Sequence, residues 1–331
     1  MGKTAVFVLS TLQTFVEEDK TVDTLVLCHA RELAYQVANE YRRFGKYLAG
    51  VRVAAFFGGL PVGQNVRELK SATPPTIVVG TPGRIWELTR SGYLNLGRLK
   101  RFVVDECDCL LGSDMRSDVQ RIFMKAPLEK QVMMFSATLS PDIKRICKKF
   151  TNHAQEIYVD EVQLVLHGLK QFYCKLEEKH KNRKLSDLLD ALEFNQIVIF
   201  VNGKVRAQQL SRLLCDCNFP AECIHGDLDQ AERLKRYESF KTFKSRILVS
   251  TDLFGRGMDF ERINVVVNYD MPTATESYLH RVGRSGRFGT KGLAVSFVAN
   301  KSDSEVMESV QGRFEVEVPE LPHDLNVGVY L

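Results

Sequence analysis

The sequence contains no apolar run that approaches the roughly 18 uninterrupted residues of a membrane-spanning helix. It also lacks low-complexity segments and long Gly/Ser or Pro linkers, and residues 1–12 lack the cleavage-site pattern of a secretory signal. Hydrophobic residues make up 44% and charged residues 26% of the 331 residues, as in ordinary globular domains. We therefore expect neither membrane insertion nor export.

The eight cysteines are scattered and lack the C-x-x-C pairs with histidine partners that a structural zinc site shows. Neither half of the chain is strongly basic. Residues 1–160 carry 22 Lys and Arg against 17 Asp and Glu, and residues 161–331 carry 23 against 24. We expect reduced thiols in the cytosol or nucleus, and local rather than indiscriminate contacts with any nucleic acid.

A chain of 331 residues exceeds what one compact core usually holds, so two domains are predicted, residues 1–160 and residues 161–331. Short β-branched runs alternate with helical patterns in both halves, which is typical of α/β domains with parallel sheets. The predicted strands are Thr24–Leu27, Val51–Phe57, Thr76–Val79, Phe102–Val104, Gln131–Phe135 and Glu156–Val159, then Gln171–Lys175, Ile197–Val201, Ala221–Ile224, Ile247–Val249, Val265–Asn268 and Leu293–Val298. Ligands of open parallel sheets collect at the carboxyl ends of the strands, so the chemically active motifs are expected there.

Gly2-Lys3-Thr4 stands directly before a predicted helix over Ala5–Leu12 and matches the end of a phosphate-binding loop of the form G-x-x-x-x-G-K-[ST]. In that role Lys3 would reach the β- and γ-phosphates of a nucleotide, and the Thr4 hydroxyl would bind Mg²⁺ at the helix N-terminus. Three residues often match by chance. A frayed basic N-terminus is the alternative.

Two polar motifs follow predicted strands. Asp105 and Glu106 come directly after Phe102–Val104, where Asp105 is suited to binding Mg²⁺ and Glu106 to orienting and deprotonating a water molecule. The Ser-Ala-Thr motif at 136–138 ends the next strand, where its hydroxyls can hydrogen-bond the acidic loop. Ordinary helix N-caps are the alternative for both motifs.

The segment His-Arg-Val-Gly-Arg-Ser-Gly-Arg at 280–287 carries three arginines and two glycines at the end of a predicted helix that starts near Thr275. Arginines held by a glycine-punctuated backbone suit the stabilisation of phosphoryl charge. A basic surface patch is the alternative.

Nine motifs, taken in order, resemble the DEAD-box family of RNA helicases from end to end. They are CHARELAYQ (28–36), Gly58-Gly59, TPGR (81–84), DECD (105–108), SAT (136–138), IVIFVNG (197–203), Q-x-x-R (230–233), STDLFGRGMD (250–259) and HRVGRSGR (280–287). The DECD variant and the stretches EKQVMMFSATLS (129–140) and NYDMP (268–272) are similar to the DECD-box helicases of mRNA splicing and export.

The resemblance implies an α/β fold of two tandem RecA-like parallel-sheet domains and an ATP-dependent RNA helicase that uses ATP and Mg²⁺. The catalytic residues that it implies are Asp105, Glu106, Arg284 and Arg287, the last two as arginine fingers. The nucleotide-binding residues are Gly2, Lys3, Thr4 and Asp259, with Asp259 on the ribose and with Thr4 and Asp105 on Mg²⁺. The residues that would couple nucleotide to RNA are Asp108, Ser136, Thr138 and His280.

The residues that the family pattern places on RNA are Arg31, Gly59, Thr81, Arg84, Arg233 and Thr251. They would hold phosphates and 2′-hydroxyls without contacting base edges, which gives affinity without sequence choice. Single-stranded RNA or a short RNA duplex is the expected substrate. Splicing and mRNA-export factors are the expected partners of a monomer that acts in the nucleus, with the cytoplasm as a second location.

The family pattern also contains an adenine-binding glutamine motif, a strand and the first half of the phosphate-binding loop ahead of Gly2, and this sequence has none of them. The resemblance therefore implies a first domain that lacks its N-terminal strand and part of its P-loop. We expect Met1 to be an internal methionine of a longer protein rather than a native start. Because backbone N–H groups of the whole loop hold the phosphates, the alternative function is a catalytically impaired RNA-binding or partner-docking fragment.

Overall fold

The computed structural model describes residues 2–16, 21–158, 168–254, 257–286 and 290–322. The chain divides into two compact units, Met1–Ile157 and Tyr158–Leu331. Each unit is built around one parallel sheet. None of the helices in the described ranges is long and apolar enough to cross a membrane.

The first unit contains a five-stranded parallel sheet in the order β2-β3-β1-β4-β5. Its strands are β1 (Thr24–Leu27), β2 (Val53–Phe56), β3 (Ile77–Gly80), β4 (Arg101–Asp105) and β5 (Gln131–Phe135). Every residue of β1, β3 and β4 is buried, which is why these strands are nearly continuous apolar runs rather than alternating ones. The parallel order brings the carboxyl ends of all five strands to one edge.

Within the described residues this unit has seven α-helices, of which the first precedes the first strand, the last follows the last strand, and the other five connect strands. They are α1 (Lys3–Gln13), α2 (Arg31–Phe44), α3 (Val62–Leu69), α4 (Pro82–Arg90), α5 (Cys107–Leu111), α6 (Arg116–Lys125) and α7 (Pro141–Phe150). The start of α7 shows how the sequence sets a helix boundary, because the Ser140 side chain accepts a hydrogen bond from the Ile143 N–H and Pro141 occupies the first turn. Lys148 and Lys149 then stand in its last turn, where the helix dipole favours positive charge.

The second unit contains a six-stranded parallel sheet in the order β6-β11-β10-β7-β9-β8. Its strands are β6 (Leu169–Lys175), β7 (Gln196–Phe200), β8 (Ala221–Ile224), β9 (Ile247–Ser250), β10 (Ile263–Asn268) and β11 (Gly292–Val298). Its α-helices are α8 (Lys181–Ala191), α9 (Lys204–Asp216), α10 (Gln230–Lys241), α11 (Thr275–Val282) and α12 (Lys301–Phe314). One apolar cluster of this unit lies between its last two helices. There, the Met307, Val310 and Phe314 side chains of α12 pack with Tyr278 and Val282 of α11.

The predicted strand over Glu156–Val159 is wrong for the residues that the structure describes. Residues 154–158 have no regular structure, and Val159 lies outside the described ranges. Ile157 is 79% exposed, so its side chain does not pack against a buried sheet face. A β-branched composition favours a strand only where a sheet edge provides hydrogen-bond partners and a buried face.

Candidate functional site

The first turn of α1 brings Lys3 to the acidic motif at the end of β4. Gly2 caps the helix with φ 87°, a left-handed conformation that glycine adopts without steric cost. The Lys3 Nζ lies 3.5 Å from the Glu106 Oε1. Thr4 is the next residue of the same turn. The predicted phosphate-binding lysine therefore lies beside the predicted catalytic acid.

Asp105 and Glu106 form a buried acidic pair at the carboxyl end of β4. Their exposed fractions are 3% and 5%. Glu106 has φ 51° and ψ 53°, and its backbone N–H donates to the Asp105 Oδ1 over 3.0 Å. Burial and, after it, the negative charge of Glu106 raise the pKa of Asp105 to about 7, although the positive charge of Lys3 opposes both effects. The pair therefore favours any additional cation that could bind at this strand end.

The donor set fits magnesium. Mg²⁺ prefers oxygen ligands and is usually held by one or two carboxylates together with nucleotide phosphates. Asp105 offers a carboxylate whose ionised form is penalised by burial and by a like charge, and a divalent cation would remove both penalties. The first turn of α1 also carries the Thr4 hydroxyl, the second oxygen donor that the sequence predicts for Mg²⁺.

We predict that the pH dependence of ATP turnover shifts with the Mg²⁺ concentration. Below pH about 7 the Asp105 carboxyl holds its proton, so apparent Mg²⁺ affinity should fall as the pH drops through that value. Because Mg²⁺ competes with the proton, a tenfold increase in free Mg²⁺ should move the midpoint of the activity profile to lower pH. Steady-state hydrolysis from pH 5.5 to 8.5 at two Mg²⁺ concentrations measures this shift.

In the absence of Mg²⁺, the free energy of unfolding should change with pH in the opposite direction to the activity. A carboxyl whose pKa rises from 3.8 to about 7 on folding stabilises the folded state below pH 3.8, and this contribution is lost as the pH rises through 7. Asp105→Asn is the matched control, since an amide does not titrate and should flatten this part of the stability profile. Identical profiles of the natural chain and the variant in EDTA would contradict the raised pKa.

Asp108 connects the acidic motif to the loop after β5. The Ser136 Oγ donates to the Asp108 Oδ1 over 2.8 Å, and the Thr138 Oγ1 donates to the Asp108 Oδ2 over 3.2 Å. The Ser136 Oγ also accepts from the Thr138 N–H over 3.2 Å, which shapes the loop. Three of the four predicted coupling residues therefore meet within the first unit, and the fourth, His280, is buried on α11 of the second unit.

A cavity of about 340 Å³ at the other end of the sheet edge gathers three predicted RNA-binding residues, Arg31, Thr81 and Arg84. Gly58 also lines the cavity, and a Cβ there would lie 3.4 Å from the Arg31 Nη2. That distance is an ordinary van der Waals contact, so Gly58 lies directly beside the Arg31 guanidinium. Gly59, the neighbouring predicted contact, has φ 86°.

The Arg84 guanidinium makes three contacts within the first unit. Its Nη1 donates to the Asn65 Oδ1, its Nη2 donates to the Leu60 carbonyl over 2.7 Å, and its Nε lies 3.0 Å from the Glu87 Oε2. Only 7% of Arg84 is exposed. These contacts make Arg84 a residue that fixes the glycine loop and α3, while its predicted RNA contact stays a prediction.

The remaining predicted residues lie in the second unit. Arg233 is buried on α10, Thr251 is half-buried directly after β9, and Asp259 is half-buried after the Asp252–Phe254 turn. Arg284 is 6% exposed, and its side chain donates to the backbone carbonyls of His280 and Met258. Arg287 lies outside the described residues.

Sequence reasoning missed Arg281, the first arginine of the 280–287 motif. It is fully buried, and its Nε lies 2.5 Å from the Asp252 Oδ1. Its Nη1 donates to the Asp270 carbonyl over 2.7 Å, and its Nη2 donates to the Asn202 Oδ1 over 2.8 Å. One guanidinium therefore joins the loops after β7, β9 and β10, the strand ends where the other motifs of this unit begin.

Comparison with known proteins identifies the family of the chain. Residues 1–146 match the family model of the DEAD/DEAH box helicases, and residues 180–289 match that of the helicase conserved C-terminal domain. The chain is 58% identical to the ATP-dependent RNA helicase uap56 of Schizosaccharomyces pombe over 100% of its own length and 77% of that protein. It is 57% identical to the DEAD-box ATP-dependent RNA helicase 15 of Arabidopsis thaliana over 100% of its own length and 78% of that protein.

A solved structure of S. cerevisiae Dbp5 bound to RNA and ADP BeF3 is similar to this chain with a TM-score of 0.90 and 30% identity. The similarity covers 98% of this chain and 83% of that chain. The predicted fold of two parallel-sheet α/β domains is thereby confirmed. Because relatives share more than half of its residues over its whole length, the chain belongs to the DEAD-box family of ATP-dependent RNA helicases, as its motifs predicted.

Proposed function

We propose that this helicase remodels RNA and ribonucleoprotein in pre-mRNA splicing and mRNA export, acting in the nucleus as a monomer with splicing and export factors as partners. The observation that carries the enzymatic part is the cluster of Lys3, Asp105 and Glu106 at the end of β4. The motif resemblance to the splicing and export group supports the cellular role. The domain division that we propose is an ATP-binding domain over 1–160 and a helicase C-terminal domain over 161–331.

In the first unit, the role of Lys3 is to bind nucleotide phosphate, and Gly2 lets the helix N-terminus approach the anion. Asp105 and the Thr4 hydroxyl would hold Mg²⁺, which when bound neutralises charge on the phosphate oxygens. Glu106 orients the attacking water and accepts its proton. Its burial keeps it oriented, since only 6% of its side chain is exposed.

In the second unit, Asp259 is proposed to bind the ribose, and Arg284 and Arg287 to stabilise phosphoryl charge during transfer. Arg31, Gly59, Thr81, Arg84, Arg233 and Thr251 form the proposed RNA contacts. The coupling role falls to Asp108, Ser136, Thr138 and His280. Asp108 supports that role because its two carboxylate oxygens accept hydrogen bonds from both hydroxyls of the loop after β5.

Steady-state ATP hydrolysis with and without single-stranded RNA tests the enzymatic part. We expect RNA to stimulate hydrolysis, and a chain that binds RNA without hydrolysing ATP would instead support an RNA-binding or partner-docking role. Affinity capture from nuclear extract tests the cellular part. Recovery of translation-initiation factors in place of splicing or export factors would overturn that assignment.

Arg31→Ala should weaken RNA binding without changing ATP turnover measured in the absence of RNA. Loss of one charge-assisted phosphate contact is expected to reduce affinity about tenfold. The salt dependence should change as well, because each phosphate contact with a single strand contributes about 0.7 to the slope of log K against log salt. Fluorescence anisotropy with a labelled single-stranded RNA at several salt concentrations measures both effects.

Arg98→Ala is the matched control for that measurement, because Arg98 is an exposed arginine of the same unit and does not line the cavity. It should change neither the affinity nor the slope by a comparable amount. Equal losses in both variants would show that the unit attracts RNA through its general charge rather than through the cavity.

A further inference from the structure

Two thiols of the first unit lie side by side at the acidic motif. Cys107 is the first residue of α5, directly between the catalytic-site residues Glu106 and Asp108. Cys147 lies on α7, and its Sγ is 3.8 Å from the Cys107 Sγ. Cys107 is buried, Cys147 is half-buried, and both are free thiols. The family activity described above uses neither of them.

The surroundings of the pair hold the two sulfurs together. Cys107 belongs to the hydrophobic core of the unit, and Cys147 packs against that core together with Ile143 and Ile146 of the same helix. A Cβ added at Gly112, which ends α5, would lie 3.4 Å from the Ile143 Cδ1, so α5 and α7 are in close contact. Packing of α5 against α7 therefore holds the two sulfurs next to each other.

We propose that Cys107 and Cys147 are a modification site, at which hydrogen peroxide forms an intramolecular disulfide that switches off the ATP site. The ordinary S–S bond length is about 2.05 Å, so the two sulfurs must approach by roughly 1.8 Å. Side-chain rotation and a small shift of α5 can supply a movement of that size. The loss of activity, unlike the disulfide itself, rests on the proposed role of this site in ATP hydrolysis.

The chemistry balances with the peroxide as the two-electron oxidant. The more exposed Cys147 sulfur attacks one peroxide oxygen, which gives a sulfenic acid and releases one water molecule after proton transfer. The Cys107 sulfur then attacks the sulfur of that sulfenic acid, so that the S–S bond forms as the S–O bond breaks. The leaving hydroxyl group takes the Cys107 thiol proton and departs as the second water molecule. Two thiols and one peroxide thus become one disulfide and two water molecules.

The order of attack agrees with the electrostatics of the pair. The hydrogen bond between the two thiols lowers the pKa of Cys147 from its ordinary value. A thiolate is the nucleophile in such oxidations, so the half-buried sulfur that peroxide reaches is also the one that ionises more readily.

The disulfide would act on the active site through the backbone. Cys107 is joined on one side to Glu106, whose left-handed conformation sets the direction of its carboxylate, and on the other side to Asp108 with its two hydroxyl partners. A displacement near 1 Å of a catalytic group can cost on the order of 100-fold in rate. A covalent link from Cys107 to α7 would therefore displace Glu106 and lower the rate of ATP turnover by on the order of 100-fold.

The test treats the natural chain with hydrogen peroxide, blocks the remaining thiols and maps the tryptic peptides by mass spectrometry. The expected product joins 102–116, which contains Cys107 and Cys109, to 146–148, which contains Cys147. Fragmentation of the linked peptide, and persistence of the link in Cys109→Ser, assign it to Cys107. A different pairing, or oxidation of Cys147 without any link, would overturn the proposal.

Activity is measured on the same samples. ATP hydrolysis of the oxidised natural chain should fall by on the order of 100-fold and return on reduction with dithiothreitol, while Cys147→Ser should keep its activity under peroxide. Cys215→Ser with Cys217→Ser, which removes the two exposed thiols, is the matched control and should remain sensitive. Equal inactivation of Cys147→Ser would overturn the switch. Absence of hydrolysis in the untreated chain would instead contradict the proposed function, whereas the mapped disulfide would be unaffected.

Discussion

Glu106→Gln is expected to reduce RNA-stimulated ATP hydrolysis by at least about 100-fold while leaving ATP-dependent RNA binding intact. The amide keeps the size and shape of the carboxylate in a site where only 5% of Glu106 is exposed, so the buried packing is preserved. It cannot accept a proton from water at neutral pH. Removal of the charge should also lower the pKa of Asp105, because the Glu106 charge raises that pKa in the natural chain.

Single-turnover hydrolysis and RNA anisotropy, each with ATP and Mg²⁺, separate the two effects. Glu129→Gln is the matched control, since Glu129 is an exposed glutamate between α6 and β5 of the same unit and should lose neither activity. If Glu106→Gln also abolished RNA binding, Glu106 would be needed to form the nucleotide-bound state rather than to activate water. An unchanged hydrolysis rate would remove Glu106 from the chemistry altogether.

The sequence was sufficient to predict where the acidic pair lies but not how its backbone is arranged. An apolar run over Phe102–Val104 followed by two acids predicts carboxylates at the end of a buried parallel strand, and β4 confirms it. The left-handed conformation of Glu106 leaves no such pattern, because non-glycine residues rarely adopt it and no local composition marks it. It depends on the hydrogen bond from Glu106 to Asp105 and on burial among neighbouring strands.

Long-range packing accounts for the other differences. The segment over Glu156–Val159 has the composition of a strand, yet Ile157 and Tyr158, its apolar residues within the described ranges, are 79% and 50% exposed. Arg281 was grouped with the basic residues of a phosphate-binding motif, yet it is fully buried. Its partners, Asn202, Asp252 and Asp270, are distant in sequence, so periodicity along the chain cannot indicate their meeting.

Arg281→Lys is expected to lower the free energy of unfolding of the second unit by about 3 kcal/mol, although the positive charge is retained. The planar guanidinium donates in three directions, whereas an ammonium group at the end of a flexible stem cannot reach all three acceptors together. The substitution should leave the buried Asp270 carbonyl and the Asn202 Oδ1 without their donor from position 281. It also removes the guanidinium that lies 5.3 Å from the Phe200 ring centroid.

Hydrogen exchange followed by mass spectrometry is the appropriate measurement, because the chain has one tryptophan, Trp86, and it reports on the first unit alone. Amides of β10 and α11 should exchange on the order of 100-fold faster in Arg281→Lys, which corresponds to about 3 kcal/mol. Arg212→Lys, an exposed arginine of α9, is the matched control and should exchange as the natural chain does. Unchanged protection of α11 would show that its backbone contacts alone hold the motif.

The functional consequence follows from the position of the three acceptors. Asp252 directly follows Thr251, a proposed RNA contact, and Arg281 directly follows His280, a proposed coupling residue. A looser guanidinium cluster should therefore weaken RNA stimulation of ATP hydrolysis more than the basal rate, because the phosphate-binding and acidic residues of the first unit are untouched. Equal losses of basal and RNA-stimulated turnover would indicate that Arg281 acts only through global stability. A selective loss would establish it as a positioning residue for the RNA-dependent step.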